Sequence, residues 1–438
     1  MAVIKDEYLK IKDIAIGIDP GYDSTKVCIN GVLIKVPNNV VDITGHAEDF
    51  LTLGEKKAPG FLSSSYVVGK QYLVGELARK SVREKENRER FMNKTDIMDS
   101  YDRFETIDFE VNLMTVIGYA LVTYAKLTME NDWKPEMKIV YDEAKNMYRI
   151  PDLKNFRIVV GVALPNDAVD AAWPSIERMI TRDHNYEIET ADGVWSLGFS
   201  VPKGHCTRSS QVICALLGIA SDDQGYIGKD SGILKNLPTV VVDGGYKTVG
   251  LFMLTQAHKV SAAESNVDYA MGNVHKEVAK CLRDDYGRKN IEAYQIPSIL
   301  EEDNGVVIYK SEKGNTASVQ IKDMILQKEK ELCNGLIDYL NHKFEDLLDV
   351  KQIIITGGTG AAYYNHISAY MNEKRSHLKN KVLLTDYEFN GKKIEPVYAI
   401  AVAMYKSLRY QLLMADKAAK AQKATEEKKK REEKPTRQ

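Results

Sequence analysis

Apolar and small residues alternate through Ile14, Ile16 and Ile18 in IAIGIDPGYDSTKVCING, residues 14–31. The run breaks at Asp19-Pro20-Gly21-Tyr22 and resumes through Val27 and Ile29, with Lys26 beside them. A period of two on both sides of a Gly/Pro break predicts strand, tight turn, strand. VVVDGGYKTVGLFML, residues 240–254, repeats the pattern, with Asp243-Gly244-Gly245 at its break. Further β pattern follows the first hairpin in VLIKVPNNVV, and SYVVGKQYLVGELARK predicts a short strand pair leading into a helix. The charged segment SVREKENRERFMNKTD is expected as helix and surface loop. Residues 109–129 are apolar on nearly every side over a helical length and predict a buried helix. NFRIVVGVALP predicts a buried strand, and RSSQVICALLGIA a helix.

Residues 221–238 are rich in Gly, Asp and Pro and mark a boundary between two halves. The second half continues with a helix from Asn273, a polar stretch over 284–320, and an amphipathic helix IKDMILQKEKELCNGLIDYLNHKF. The strand QIIITGGTG then enters a helix, and EPVYAIAVAMYKSLRYQLLM is a last, small-residue helix. From Asp416 the chain becomes an Ala/Lys/Glu/Gln tail with little to bury.

An acid-plus-glycine turn in each half is a duplication with chemical content. Glycine lets a turn approach a ligand closely, and successive backbone N–H groups can cradle an anion. Lys26 adds positive charge against a phosphate. Asp19 and Asp243 suit a phosphate site only with Mg²⁺ or its waters between. Either turn alone reads equally as a tight turn built from Asp and Gly for conformational reasons. A third element, Gly357-Gly358-Thr359-Gly360 at a strand-to-helix junction, offers a close backbone approach for a flat ring or a phosphate.

Composition narrows the field. Net charge is −2 over 438 residues, which provides no basic field for nucleic acid. The five cysteines (Cys28, Cys206, Cys214, Cys281, Cys333) are scattered, with no CxxC pair, as in a reduced cytoplasmic protein. The charged N-terminus does not read as a secretory signal, and no apolar run reaches the roughly 18 residues of a membrane span. HExxH, GxSxG and GxxxxGK[ST] are all absent, which removes metalloprotease, α/β-hydrolase and P-loop readings.

In this order the three elements resemble the actin/Hsp70/sugar-kinase superfamily. The closest likeness is to ParM-type bacterial plasmid-segregation actins, which also share the order of VVGVALPNDAVD, SIERMITRD and a connecting helix. The resemblance spans about residues 14–412. It implies a bilobed α/β fold of two duplicated RNase H-like domains with a nucleotide cleft between them. It implies ATP, or GTP, bound with Mg²⁺ and hydrolysed. DPGYDSTK matches the first phosphate loop, with Asp19, Gly21, Tyr22, Ser24, Thr25 and Lys26 at the nucleotide. DGGYKT matches the second, with Asp243, Gly244, Gly245, Tyr246, Lys247 and Thr248. TGGTG matches the adenosine motif, with Gly357, Gly358 and Thr359, and Gly272 joins them. Asp19 and Asp243 would hold the metal through water. Gln211 falls at the water-positioning place, and Asp243 assists it. Lys276 and Glu277 are expected on a solvated face. Tyr22 departs from the Ser that many members place there, and the stretch from Gln211 to Asp243 is long.

The implied organisation is domain I over 1–222 plus 395–415, with a smaller subdomain at about 36–105. Domain II covers 236–394, with a smaller subdomain at about 273–322, and 416–438 form a charged disordered tail. The implied partners are the chain itself in a head-to-tail filament and a DNA-bound adaptor, with no membrane and no direct nucleic-acid contact. Two alternatives stay open. A small-molecule kinase of this fold needs a carboxylate base aimed at a hydroxyl. A chaperone-type ATPase needs a substrate-binding domain after the second connection, where the sequence has a charged tail.

Overall fold

The computed structural model describes residues 13–46, 56–58, 60–83, 101–133, 137–228, 232–256, 259–310 and 315–432. Two five-stranded sheets organise it. The first is built from β1 (Asp13–Pro20), β2 (Ser24–Ile29), β3 (Val32–Pro37), β4 (Arg157–Leu164) and β5 (Cys206–Ser210), in the order β5-β4-β1-β2-β3. The second comprises β6 (Thr239–Gly244), β7 (Val249–Gln256), β8 (Lys259–Asn266), β9 (Gln352–Thr356) and β10 (Val382–Leu384), in the order β8-β7-β6-β9-β10. In each sheet three antiparallel strands are followed on the other side by two parallel ones. The two halves therefore share one topology, which carries the duplication beyond the two turns.

Parallel strands have to be covered on both faces. In the first half α1 (Ile107–Glu130) supplies one cover. Thr106 caps it by accepting from the Phe109 N–H at 3.2 Å, and its apolar residues share a core with Ile14, Val27 and Val160. The other face carries α6 (Ala399–Glu432). Gly17 allows that contact: an added Cβ would stand 2.9 Å from the Tyr405 Cα and on the Ala401 carbonyl oxygen. In the second half α4 (Ile321–Lys343) and α5 (Gly357–Lys374) close the core around Val240, Ile353 and Ile355.

Two helices join the halves. α2 (Gln211–Ala220) leaves β5 with no intervening loop, and α6 returns to the first sheet. They meet at Gly218, where a Cβ would stand 3.1 Å from that of Ala403. Lys406 of α6 is 2% exposed and donates to the carbonyls of Gly218 and Ser221, each at 3.1 Å. Its ammonium also lies 4.3 Å from the centre of the Tyr387 ring. One turn on, the buried Arg409 donates to the Asp223 carbonyl at 2.6 Å.

The structure departs from the sequence expectations in several places. Arg208–Ser210 are strand rather than helix, because they extend the parallel ladder with β4 and Ser210 takes the extended backbone of an N-cap. The tail from Asp416, expected as frayed helix or disordered chain, continues α6 to Glu432, as its high content of Ala, Lys and Glu favours. Residues 433–438 lie outside the described residues, as does most of the charged segment 81–96 beyond Arg83. A seven-stranded sheet beside the first half takes Val40–Asp42, Leu62–Ser64 and Tyr72–Val74, but also four strands between Val140 and Ser200. That smaller unit therefore draws on more chain than 36–105. Beside the second half, the hairpin Val306–Lys310/Thr316–Gln320 packs with α3 (Met271–Asp284) around Val274, Val278, Leu282 and Val307.

Placing one methyl against the backbone of α6 should strain both elements. Gly17→Ala is expected to lower the unfolding free energy by about 3 kcal/mol, read from urea titrations. An unchanged midpoint would mean that β1 and α6 do not pack this closely.

Candidate functional site

The carboxyl ends of the parallel strands in both sheets converge on one cavity of about 340 Å³. Open α/β sheets characteristically bind ligands at these ends. The first half contributes the β1–β2 turn, the Pro165-Asn166-Asp167 turn after β4, and Gln211 at the head of α2. The second contributes the β6–β7 turn and the start of α5.

The first turn is braced from behind. Gly21 N–H donates to the Asp19 carbonyl at 3.0 Å. Arg103, 1% exposed on the short 3-10 helix Tyr101–Glu105, donates to the carbonyls of Pro20 at 2.6 Å and Gly21 at 2.9 Å. Asn38 donates to the Gly21 carbonyl as well, and its own oxygen accepts from Thr25 at 2.7 Å and Asn112 at 2.9 Å. Asp19 and Lys26 are cross-strand partners, with their charged atoms 3.8 Å apart. Lys35 sits opposite Lys26 on the next strand, and both line the cavity. Like charges placed opposite one another destabilise a sheet unless something negative lies near them.

The second turn closes through Gly245 N–H to the Thr248 carbonyl at 2.9 Å. Thr359 on α5 donates to the Gly245 carbonyl at 2.6 Å and fastens the turn to that helix. Close packing explains the glycines here. A Cβ on Gly244 would stand 2.7 Å from the Gly360 Cα, while Gly357 adopts φ +78 with its Cβ position 3.2 Å from an Asp243 oxygen. Gly358 is different: a Cβ there would meet no protein atom within 4 Å, so its side-chain face is open.

Gln211 reaches across to donate to Asp19 at 2.6 Å. An ionised carboxylate only accepts, so the amide nitrogen faces Asp19 and the amide oxygen remains as an acceptor for water. Ser210 caps α2 by accepting from Val212 N–H at 3.2 Å and donates to Asn166 at 3.1 Å, which fixes Gln211 in place. Asp243 keeps part of its surface open to the cavity, but protein walls surround the carboxyl group. Burial pushes its pKa from 3.8 up to about 7; the Asp19 charge adds to the rise and Lys26 opposes it.

Comparison with solved structures gives likenesses that span nearly the whole chain, among them these three. An actin-like protein, Alp7A, superposes with a TM-score of 0.63 at 16% identity, covering 94% of this chain and 100% of that one. A 15-stranded ParM filament from Clostridium botulinum gives 0.54 at 16%, over 91% and 99%. Bacillus thuringiensis ParM with ATP gives 0.52 at 10%, over 92% and 100%. The fold is actin-like. No family model matches the chain, and no curated protein matches it.

Within this actin-like frame, Asp19, Gly21, Tyr22, Ser24, Lys26, Gln211, Asp243, Gly244, Gly245, Tyr246, Thr248, Gly357, Gly358 and Thr359 all line the cavity. Thr25, Lys247 and Gly272 do not. Thr25 turns inward to Asn38, and Lys247 reaches Tyr22. Gly272 N–H donates to the Tyr246 carbonyl at 2.7 Å, so it supports the second turn from below. Lys276 and Glu277 are exposed on α3. Sequence reasoning missed Arg103, Asn38, Lys35 and Asp167. Lys35 alone left a signal, as the one charged position in an apolar strand. Among the described residues no group of three His, Cys, Asp or Glu could hold a metal by itself, and no helix is long and apolar enough to cross a membrane.

An acid whose pKa is raised by folding ionises more readily in the unfolded chain. Its contribution to stability is therefore full below about pH 4 and is lost as pH rises through about 7. Asp243→Asn removes that loss. In ligand-free protein it should raise the unfolding free energy by roughly 1–3 kcal/mol near pH 8 and leave it unchanged below about pH 4, as urea titrations at both pH values would read. Equal effects at the two pH values would contradict the burial of this carboxyl.

Proposed function

We propose that this chain is a nucleotide-dependent, filament-forming actin-like protein that hydrolyses ATP, or GTP, in the cytoplasm. The observation that carries this reading is the meeting of two acid-plus-glycine turns, one from each duplicated sheet, across a cavity into which Gln211 projects beside Asp19. The residues are read in two lobes, 1–222 plus 395–415 and 236–394, and the shared sheet topology supports that division.

In this reading the N–H groups of both turns, with Lys26 and Thr248, bind the phosphates, and Gly357, Gly358 and Thr359 take the adenosine. Hydrolysis by water is then largely a matter of positioning and electrostatics. Gln211 orients the attacking water through its amide oxygen. Asp243, across the cavity from Gln211, helps polarise that water. The donor set fits Mg²⁺: two carboxylates share one cavity, where the Asp19 charge adds to the burial that raises Asp243, and too few ligands surround them to hold a metal without phosphate and water. Asp19 and Asp243 would bind it through water, and the ion would neutralise phosphate charge.

Filament formation is supported by the likeness to a chain solved as a 15-stranded filament. An open filament follows when head-to-tail contacts do not close into a ring. Plasmid DNA is the proposed cargo, engaged through a DNA-bound adaptor protein, since the chain has no basic field of its own. A small-molecule kinase is the second reading. It draws on Asp167, a carboxylate at the cavity wall with no place in the hydrolytic scheme.

Asp243→Ala should lower the hydrolysis rate by about 100-fold or more, measured as phosphate release, with the fold retained by circular dichroism. Gln211→Ala should slow hydrolysis by roughly 10–100-fold while nucleotide still binds. Wild-type turnover in either variant would remove that residue from the mechanism. Sedimentation with Mg-ATP or Mg-GTP over a concentration series should show a critical concentration, above which added protein enters the pellet. Absence of any pellet, together with ADP release stimulated by a hydroxylated substrate, would favour the kinase.

A further inference from the structure

The first turn carries an aromatic side chain where the backbone needs only small or polar residues. Tyr22 lines the cavity, and its ring is half-buried. Two cations from different parts of the chain meet this ring. Arg103 belongs to the same half as Tyr22, and its guanidinium carbon lies 4.1 Å from the ring centre. Lys247 belongs to the turn of the opposite half, and its ammonium lies 5.4 Å from the same centre. The face of an aromatic ring carries negative charge density and attracts cations within about 6 Å.

The two contacts differ in firmness. Arg103 is buried and fixed by its bonds to the carbonyls of Pro20 and Gly21, so it holds both the turn and the ring. Lys247 is partly exposed at the end of a flexible stem and does not line the cavity. It is therefore placed to reach the opposite turn and not the interior of the site.

We propose that Tyr22 and Lys247 form a latch between the two turns, with Arg103 as its fixed mount, and that breaking the latch is part of releasing bound nucleotide. This rests on the nucleotide reading given above. A ligand held between the turns leaves by their separation, and that separation parts the Lys247 ammonium from the Tyr22 ring. The latch acts on di- and triphosphate alike, because it links turn to turn. Tyr22 and Lys247 are thus positioning residues, and Lys247 does its work without touching phosphate.

The test is the release rate of a fluorescent N-methylanthraniloyl ATP or ADP, followed by stopped flow in full-length protein with Mg²⁺. Lys247→Met should release both nucleotides roughly 2–5-fold faster, the range expected of one exposed cation–ring contact, and Tyr22→Leu at least as fast, since it also removes the Arg103 contact. The double variant should be no faster than Tyr22→Leu alone, since losing the ring already removes the Lys247 contact. Tyr22→Phe keeps the ring and should restore slow release. The circular dichroism melt of ligand-free Lys247→Met should match wild type, which separates the latch from a general loss of structure. Unchanged release in Lys247→Met overturns the latch, as does multiplication of the two single effects in the double variant. A Lys247→Met effect confined to the triphosphate, and not reproduced by Tyr22→Leu, would also overturn it and assign Lys247 to phosphate. If wild-type protein binds neither analogue, the nucleotide reading fails and the latch fails with it. If wild type binds and the variants behave as wild type, the latch alone fails.

Discussion

Two carboxylates of like charge, Asp19 and Asp243, face a common cavity, and much of the architecture bears on keeping them there. Each lies one residue before the end of a strand, β1 or β6, so each is held by the ladder behind it. Repulsion between them costs the protein stability whenever both are ionised. That cost is tolerated because the strands, the Arg103 brace and the Thr359 tie leave the turns no room to relax. A cleft under such electrostatic strain favours whatever brings positive charge between its walls, and Lys26 and Lys35 provide only part of it.

The hydrophobic pattern made most of the strand and helix order legible. Alternation located both hairpins, and unbroken apolar length located the helix Ile107–Glu130 and the strand Arg157–Leu164. The two sheets share one order of strands, which sequence hinted at only through their matching Asp-x-Gly turns. Where local pattern failed, long-range pairing decided the outcome. Arg208–Ser210 look helical beside the apolar run that follows, but the edge of β4 recruits them into a ladder. The strands between residues 140 and 200 join a small sheet whose other members lie about a hundred residues earlier, and periodicity carries no information on partners so distant.

The site was legible to the same depth. Glycines and acids at turns announce themselves, because few other residues suit those backbone positions. The supports do not. Arg103 and Asn38 act from segments with no motif around them, and their importance lies in reaching particular carbonyl oxygens from a distance. Lys247 shows the reverse: its place in DGGYKT puts it in the motif, while its side chain turns to the aromatic ring across the cleft.

The buried Lys406 at the crossing of α2 and α6 gives the two halves a defined meeting point. Its ammonium rests on the last carbonyls of α2, at the negative end of that helix, and on the Tyr387 ring, so sliding α2 along α6 would cost a buried charge both of its carbonyl partners. Gly218 lets the two helices come this close, since a Cβ there would stand 2.8 Å from the Tyr387 hydroxyl. The crossing therefore ties the two halves at one buried point, where any shift of α2 against α6 must keep or replace the carbonyl partners of a single ammonium.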